Sequence, residues 1–280
     1  MSIKLENLVL ASPEQMEFII QGLRNPLNSH ARSDSKLEPE TIGDFGEEYG
    51  SLFELGPNDH SLMQRLSNAG TDHRKFMRMM PVYVRITAPL YWWKEFDTYK
   101  VGSVANSCST MHKIQEKEFT MGDFSCEHLD GFVEDTGGDI APVWDFKKPM
   151  EYTIEMLNKA RTKFLETKDK KYWWQMIQLL PSSYNQTRNV MMNYEVLVNI
   201  YESRRNHKLD EWREFCKWIE ELPYSELICG SESLKMIEVG RAAADGIQSG
   251  IKTYDTAEYG KEHSGWIEEI KNLVNEFEEG

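Results

Sequence analysis

Cysteine is scarce. The chain has four in 280 residues, Cys108, Cys126, Cys216 and Cys229, and no Cys-x-x-Cys pair. That argues against a disulfide framework and predicts reduced thiols in a cytoplasmic protein. Cys126 stands near His128 and Cys108 near His112. Neither pair is joined by a second at metal-ligand spacing, so no zinc site is expected. Cys108 has no identifiable base, which leaves it without the partner a thiol nucleophile needs. Long apolar runs are also missing. The longest strongly apolar stretch, residues 86–93, is far too short to span a bilayer. The N-terminus carries Lys4, Glu6 and Glu14 and has no leader-like apolar run. Bases are in deficit, with 32 Lys and Arg against 46 Asp and Glu and a net charge of −14. Such a surface is ill suited to the phosphate backbone of a nucleic acid. It does not exclude a small anion in a local basic pocket. No internal repeat or low-complexity tract is visible.

What the chain does have is enough apolar material for a sizeable core, 40% hydrophobic and 11% aromatic residues. Ser12-Pro13-Glu14-Gln15 opens a helix, with Ser12 as cap, Pro13 in the first turn and Gln15 completing a capping box. Phe18, Ile19 and Leu23 form its expected apolar stripe, and Asn25-Pro26 ends it. Residues 26–58, polar and Gly-rich, read as an irregular excursion. A short helix is expected over 59–68, closed by Gly70. Val82, Val84 and Ile86 alternate with Tyr83, Arg85 and Thr87, which predicts a strand, followed by a helix over 89–96. Residues 120–149 read as a second irregular insertion. Beyond Met150 the spacing predicts helices over 150–164, 172–180, 184–205, 209–222 and 234–247. The overall expectation is a mixed α/β (α+β) subunit with a helix-rich C-terminal half. Its parts would be one domain over 1–247, a linker over 248–262, and a separate amphipathic helix over 263–280 lined by Trp266, Ile270, Leu273, Val274 and Phe277.

Two features carry chemistry. Gly102, Ser103, Ala105, Asn106, Ser107, Cys108, Ser109 and Thr110 form a string of small polar residues. Small side chains let a ligand approach the backbone, and hydroxyl and amide groups can bind its oxygens. An ordinary surface loop has the same composition. Basic residues also cluster, as His73, Arg74, Lys75, Arg78 and Arg85, and as Arg204, Arg205, His207, Lys208 and Arg213. Arginine binds phosphate through paired hydrogen bonds, although a solvated helix face would look alike. On a continuous helix over 184–205, Asn193, Leu197, Ile200 and Arg204 would share one face.

At these residues the chain resembles the flavin-dependent thymidylate synthases. Asp72-His73 with Phe76 is similar to the family's acid–His pair. Ala88-Pro89 leads through an aromatic helix into the small polar string. Leu180-Pro181, Asn193, Asn199 and Arg204 fall without gaps on the family's Leu-Pro, its two asparagines and its substrate-site arginine. The departures are as specific. Thr98-Tyr99-Lys100 stands where the family has Arg-His-Arg. Met111, a residue near Ile177, and Glu195 stand where it has further arginines.

The resemblance implies a homotetramer with sites shared between subunits. It assigns Ser109 and Arg204 to catalysis, and His73, Tyr99, Lys100, Ser103, Asn193 and Asn199 to cofactor and nucleotide binding. FAD would mediate one-carbon transfer from methylenetetrahydrofolate to deoxyuridine monophosphate, with NADPH as reductant. The missing arginines predict a weakened grip on phosphate, since each charge-assisted bond is worth about 1.5–3 kcal/mol. Three readings follow: a divergent enzyme acting on a pyrimidine nucleotide, a non-catalytic nucleotide-binding protein, and an interaction protein of a phage or mobile element built on the same frame.

Overall fold

The computed structural model describes residues 3–41, 48–131, 133–134 and 143–230. The expected helix over 234–247, the linker over 248–262 and the amphipathic helix over 263–280 lie outside the described residues. Strand β1 (Lys4–Leu10) leads into helix α1 (Pro13–Arg24). The Ser12 capping box forms as expected: Ser12 Oγ accepts the Gln15 N–H at 3.3 Å, and Gln15 Oε1 accepts the Ser12 N–H at 2.9 Å. The buried stripe of α1 is Met16, Ile19, Ile20 and Leu23. Phe18, placed on that stripe by the sequence reading, points outward and is 64% exposed.

The stretch 26–58 is more regular than its composition suggests. Two 3₁₀ turns, Asn25–Leu27 and His30–Arg32, precede an antiparallel hairpin of β2 (Lys36–Thr41) and β3 (Glu48–Glu54). Tertiary anchoring, described below, holds the entry to this hairpin. Helix α2 (Pro57–Asn68) follows and ends before Gly70, whose φ of 98° favours glycine. A 3₁₀ turn over Lys75–Met79 then delivers β4 (Pro81–Pro89) and α3 (Leu90–Phe96).

Beyond α3 come β5 (Val104–Ser107), α4 (Thr110–Lys113), short β6 (Val133–Glu134) and β7 (Val143–Trp144), α5 (Lys147–Thr167) and α6 (Lys170–Leu179). The last described elements are β8 (Asn185–Asn193), α7 (Tyr194–Arg204), α8 (Asp210–Glu220) and α9 (Glu226–Cys229). Two elements differ from the sequence expectation. The small polar string is not simply a loop, because residues 104–107 form an edge strand against β8. The stretch 184–205 is not one helix but a strand and a helix meeting at Asn193. Val190, Tyr194, Leu197, Val198 and Tyr201 are all buried, yet Val190 is buried from a strand. The junction mimics a helical spacing because β8 and α7 both turn toward the same core.

The main sheet has the antiparallel order β1-β4-β8-β5. β4 and β8 pair over their full length, from Pro81 opposite Asn193 to Pro89 opposite Asn185. The alternation in β4 buries Val82, Val84, Ile86 and Ala88 on one face. That face packs with α1, α2, α3, α7 and α8 into the principal core, centred on Trp92, Trp93, Trp212 and Phe215. Trp92 and Trp93 are both buried. A second cluster, including Ile114, Phe119, Phe124, Leu157 and Met176, ties α5 and α6 to the segment after α4.

Among the described residues, the opposite face of the sheet is open. Its register sets Val9 beside Tyr83, Tyr83 beside Met191, and Met191 beside Val104, an apolar row crossing all four strands. Val9, Tyr83 and Val104 are 57%, 46% and 66% exposed. The neighbouring rows are polar, with Arg85 Nε donating to Asn189 Oδ1 at 3.2 Å and the Thr87 and Thr187 hydroxyls 2.7 Å apart.

Candidate functional site at helix α7

Helix α7 begins at Asn193, whose side-chain oxygen accepts the Val196 N–H at 3.0 Å. This cap uses the amide that the continuous-helix reading placed on an apolar face. Asn193 and Arg204 therefore sit at opposite ends of α7, separated by about 16 Å of helical rise. The segment between α3 and β5 runs along the helix and touches both ends. At one end, Arg204 Nε donates to the Tyr99 hydroxyl at 3.0 Å. At the other, Gly102 has φ 83°, and a Cβ there would lie 3.0 Å from Val196 and 3.3 Å from the Asn193 amide. Only glycine gives both the backbone conformation and the close approach.

The Arg204 end is organised by a carboxylate that sequence reasoning missed. Glu95 Oε2 takes Arg204 Nη1 at 2.9 Å and the Trp212 indole N–H at 2.9 Å, and lies 3.5 Å from His207 Nε2. The guanidinium lies 4.9 Å from the centroid of the Trp212 ring and 5.8 Å from that of Tyr99. Stacking on aromatic faces suits arginine because its planar cation is weakly hydrated. Trp212 lies within the helix expected over 209–222, a reading that assigns it no role at a site. The signal for Glu95 was weak, a lone acid in the aromatic run 90–96.

The other expected site residues divide. Tyr99 and Ser103 belong to the segment on α7, where the Ser103 hydroxyl donates to the Tyr99 carbonyl. Lys100 is exposed in the same segment. His73 is exposed in the turn after Gly70, next to Arg74, which reaches the first turn of α7. Asn199 is exposed in the middle of α7. Ser109 is exposed and caps α4, accepting the His112 N–H at 3.1 Å. Within one subunit, then, Tyr99, Ser103, Asn193 and Arg204 are tied to α7. Among the described residues, no hydrogen bond joins Ser109 to that group.

Glu195 was expected to confront a phosphate. Instead it is buried, with Arg74 Nε 2.9 Å from Oε2 and Arg78 3.9 Å from Oε1. The Arg74 contact is an ion pair without hydrogen-bond alignment. Part of the first basic cluster therefore neutralises an internal carboxylate. Arg188, on β8, stacks 4.2 Å from the centroid of Trp93 and binds Asp97 at 2.8 Å. Burial pushes the Cys216 and Cys229 thiols up to about 12, against any nucleophilic use. Among the described residues, no three His, Cys, Asp or Glu side chains are grouped to hold a metal ion.

Two solved structures share this arrangement of elements. Thymidylate synthase X from Helicobacter pylori, solved with FAD and dUMP, aligns with 84% of this chain and 99% of its own, at a TM-score of 0.53 and 16% identity. A second structure of the flavin-dependent thymidylate synthase from the same organism, also complexed with FAD and dUMP, aligns with 84% of this chain and 100% of its own, at a TM-score of 0.52 and 16% identity. The fold is that of the flavin-dependent thymidylate synthases. No protein-family model and no curated protein matches the chain. The mixed α/β thymidylate synthase-like scaffold thus stands on tertiary structure. No described helix is long and apolar enough to cross a membrane.

Proposed function

We propose that this chain binds a pyrimidine nucleotide at the Arg204 end of α7. The observation that carries the reading is Arg204 itself. It is held in fixed geometry by Glu95, Tyr99 and Trp212, on a fold shared with two structures, among others, that were solved with dUMP. An arginine fixed this way loses little entropy on taking an anionic or carbonyl acceptor. Glu95 also lowers its net attraction for an anion, so affinity is set by competition between the carboxylate and the ligand.

Saturating dUMP should raise the melting temperature, by the linkage of binding to folding. The shift should vanish in Arg204→Gln and grow in Glu95→Gln, which frees the cation. A pyrimidine nucleotide panel that leaves the melting temperature unmoved would remove the proposal.

Flavin is a separate matter. Tyr99, Ser103 and Asn193 spend polar groups inside the subunit, while Lys100, His73 and Asn199 are exposed. Within one subunit these residues do not fit a closed FAD site.

We propose further that the chain assembles as a homotetramer through the open face of the sheet, so that neighbouring subunits contribute to its sites. The row of exposed Val9, Tyr83 and Val104 with half-buried Met191 supports this, since a continuous apolar band across a whole sheet is unusual for a free surface. Tyr83→Glu should shift the mass measured by analytical ultracentrifugation from tetramer toward smaller species. A wild-type monomer at working concentration is the result that would sink it.

A further inference from the structure

A polar cavity of about 510 Å³ lies between the turns after α1 and the outer face of α2. None of its lining residues belongs to the Arg204 site. In a chain of net charge −14, three arginines line it: Arg24, Arg32 and Arg65. Arg24 is the informative one. Its side chain is only 6% exposed, and its Nε is fixed on Asp59 Oδ1 at 2.7 Å. Its Nη2 is buried and has no hydrogen-bond partner in the protein. A desolvated cationic N–H without an acceptor is costly, and an oxygen-rich ligand entering the cavity would supply one.

The rest of the cavity is built to stay in place. Asn58, Ser61 and Arg65 follow one face of α2 at helical spacing. Arg32 closes the 3₁₀ turn His30–Arg32 and is exposed, as is Arg65. Neither Arg32 nor Arg65 makes an ion pair among the described residues. One carboxylate, Asp34, also lines the cavity. Both its oxygens are already committed, Oδ2 accepting the Asn58 N–H at 2.9 Å and Oδ1 the Asp59 N–H at 3.1 Å, which caps α2. Gly56 makes room for this cap, because a Cβ there would lie 2.2 Å from Asp34 Oδ1. Even with Asp34 and Asp59 counted, the cluster is net positive.

From this geometry we infer a second anion site that takes a diphosphate group, free or carried by a nucleoside. Three guanidinium groups around an opening of this size match two linked phosphates better than one, and arginine is the residue that binds phosphate oxygens in pairs. The site is independent of the nucleotide proposed at Arg204.

The test is isothermal titration of the full chain with inorganic pyrophosphate, and separately with a nucleoside diphosphate. Saturable binding of pyrophosphate is expected, weakened at least about tenfold in Arg65→Gln and again in Arg32→Gln, as for loss of a charge-assisted bond. Both variants lie outside the buried Arg24–Asp59 pair, so their urea midpoints should match the wild type. Arg204→Gln should bind pyrophosphate like the wild type, which separates this site from the one on α7. Tighter binding of the nucleoside diphosphate would assign the group to a nucleotide, and equal binding to the free anion. Absence of saturable heat at millimolar pyrophosphate, or wild-type affinity in the Arg32→Gln/Arg65→Gln double variant, would overturn the inference.

Discussion

Asp59→Ala should destabilise the fold by about 3–5 kcal/mol, the cost of stripping one partner from a buried ion pair. Asp59 is fully buried. One oxygen accepts Arg24 Nε at 2.7 Å. The other accepts the Ser33 and Ser35 hydroxyls, each at 2.7 Å, and the Asp34 and Ser35 N–H groups at 3.1 and 3.0 Å. Alanine would leave a buried guanidinium unpaired and release the segment that leads into β2. Urea unfolding at neutral pH measures the loss, and a value below about 1 kcal/mol would show that the pair contributes no more than a surface one.

The same residue makes a pH prediction. Burial alone would raise the Asp59 carboxyl, but the hydrogen bonds from Ser35, Ser33 and Arg24 outweigh it and hold the pKa at about 2, against 3.8 for an ordinary aspartate. A carboxyl depressed in the folded state stabilises the protein fully above its unfolded pKa, and that contribution is lost as pH falls toward the folded value. The stability difference between wild type and Asp59→Asn should therefore be constant above about pH 4 and shrink between about pH 4 and pH 2. A difference that grows on acidification would contradict the assignment.

Trp212→Ala is the second large effect, about 3–5 kcal/mol for emptying a buried tryptophan site. The ring is fully buried, 4.7 Å from Trp92, 6.0 Å from Tyr99 and 6.1 Å from Phe215 by ring centroids. It also supports Arg204 from below and donates its N–H to Glu95. Trp212→Phe separates these roles. Keeping an aromatic ring while losing the donor should cost about 1.5–3 kcal/mol for the lost hydrogen bond to a charged group, and should weaken dUMP binding along with it. If Trp212→Phe matches the wild type in stability and in dUMP response, the indole–Glu95 bond does not position Arg204.

Much of the frame was legible along the chain. The Ser12 capping box, the alternation of Val82, Val84 and Ile86, and the helix expected over 209–222 all rest on local rules of capping and periodicity, and all appear in the structure. The failures share a cause. β8 carries only two fully buried side chains, Val190 and Met192, among polar neighbours, and its pairing with β4 lies about a hundred residues away in sequence. Its last residue, Asn193, followed by Glu195 in the first turn of α7, was the available sign of a helix start. The hairpin β2–β3 was obscured by its polarity, and the entry to it is held by Asp59 from outside the hairpin.

The candidate site shows the same division. Arg204 was found by its position relative to Asn193 and Asn199, and Tyr99 and Ser103 by their place in a motif. Glu95 was not found, because what marks it is the convergence of Arg204, His207 and Trp212 on one oxygen. By itself the sequence determined most of the core side chains, where most helices start and stop, and which family the chain resembles, since capping, periodicity and motif spacing are local. Only the tertiary structure decided which charges are free. Arg74 is spent on Glu195 and Arg204 is shared with Glu95, while Arg24 keeps an unpartnered donor beside Arg32 and Arg65. The strength of an ion pair depends on distance and burial, and neither is written in the order of residues.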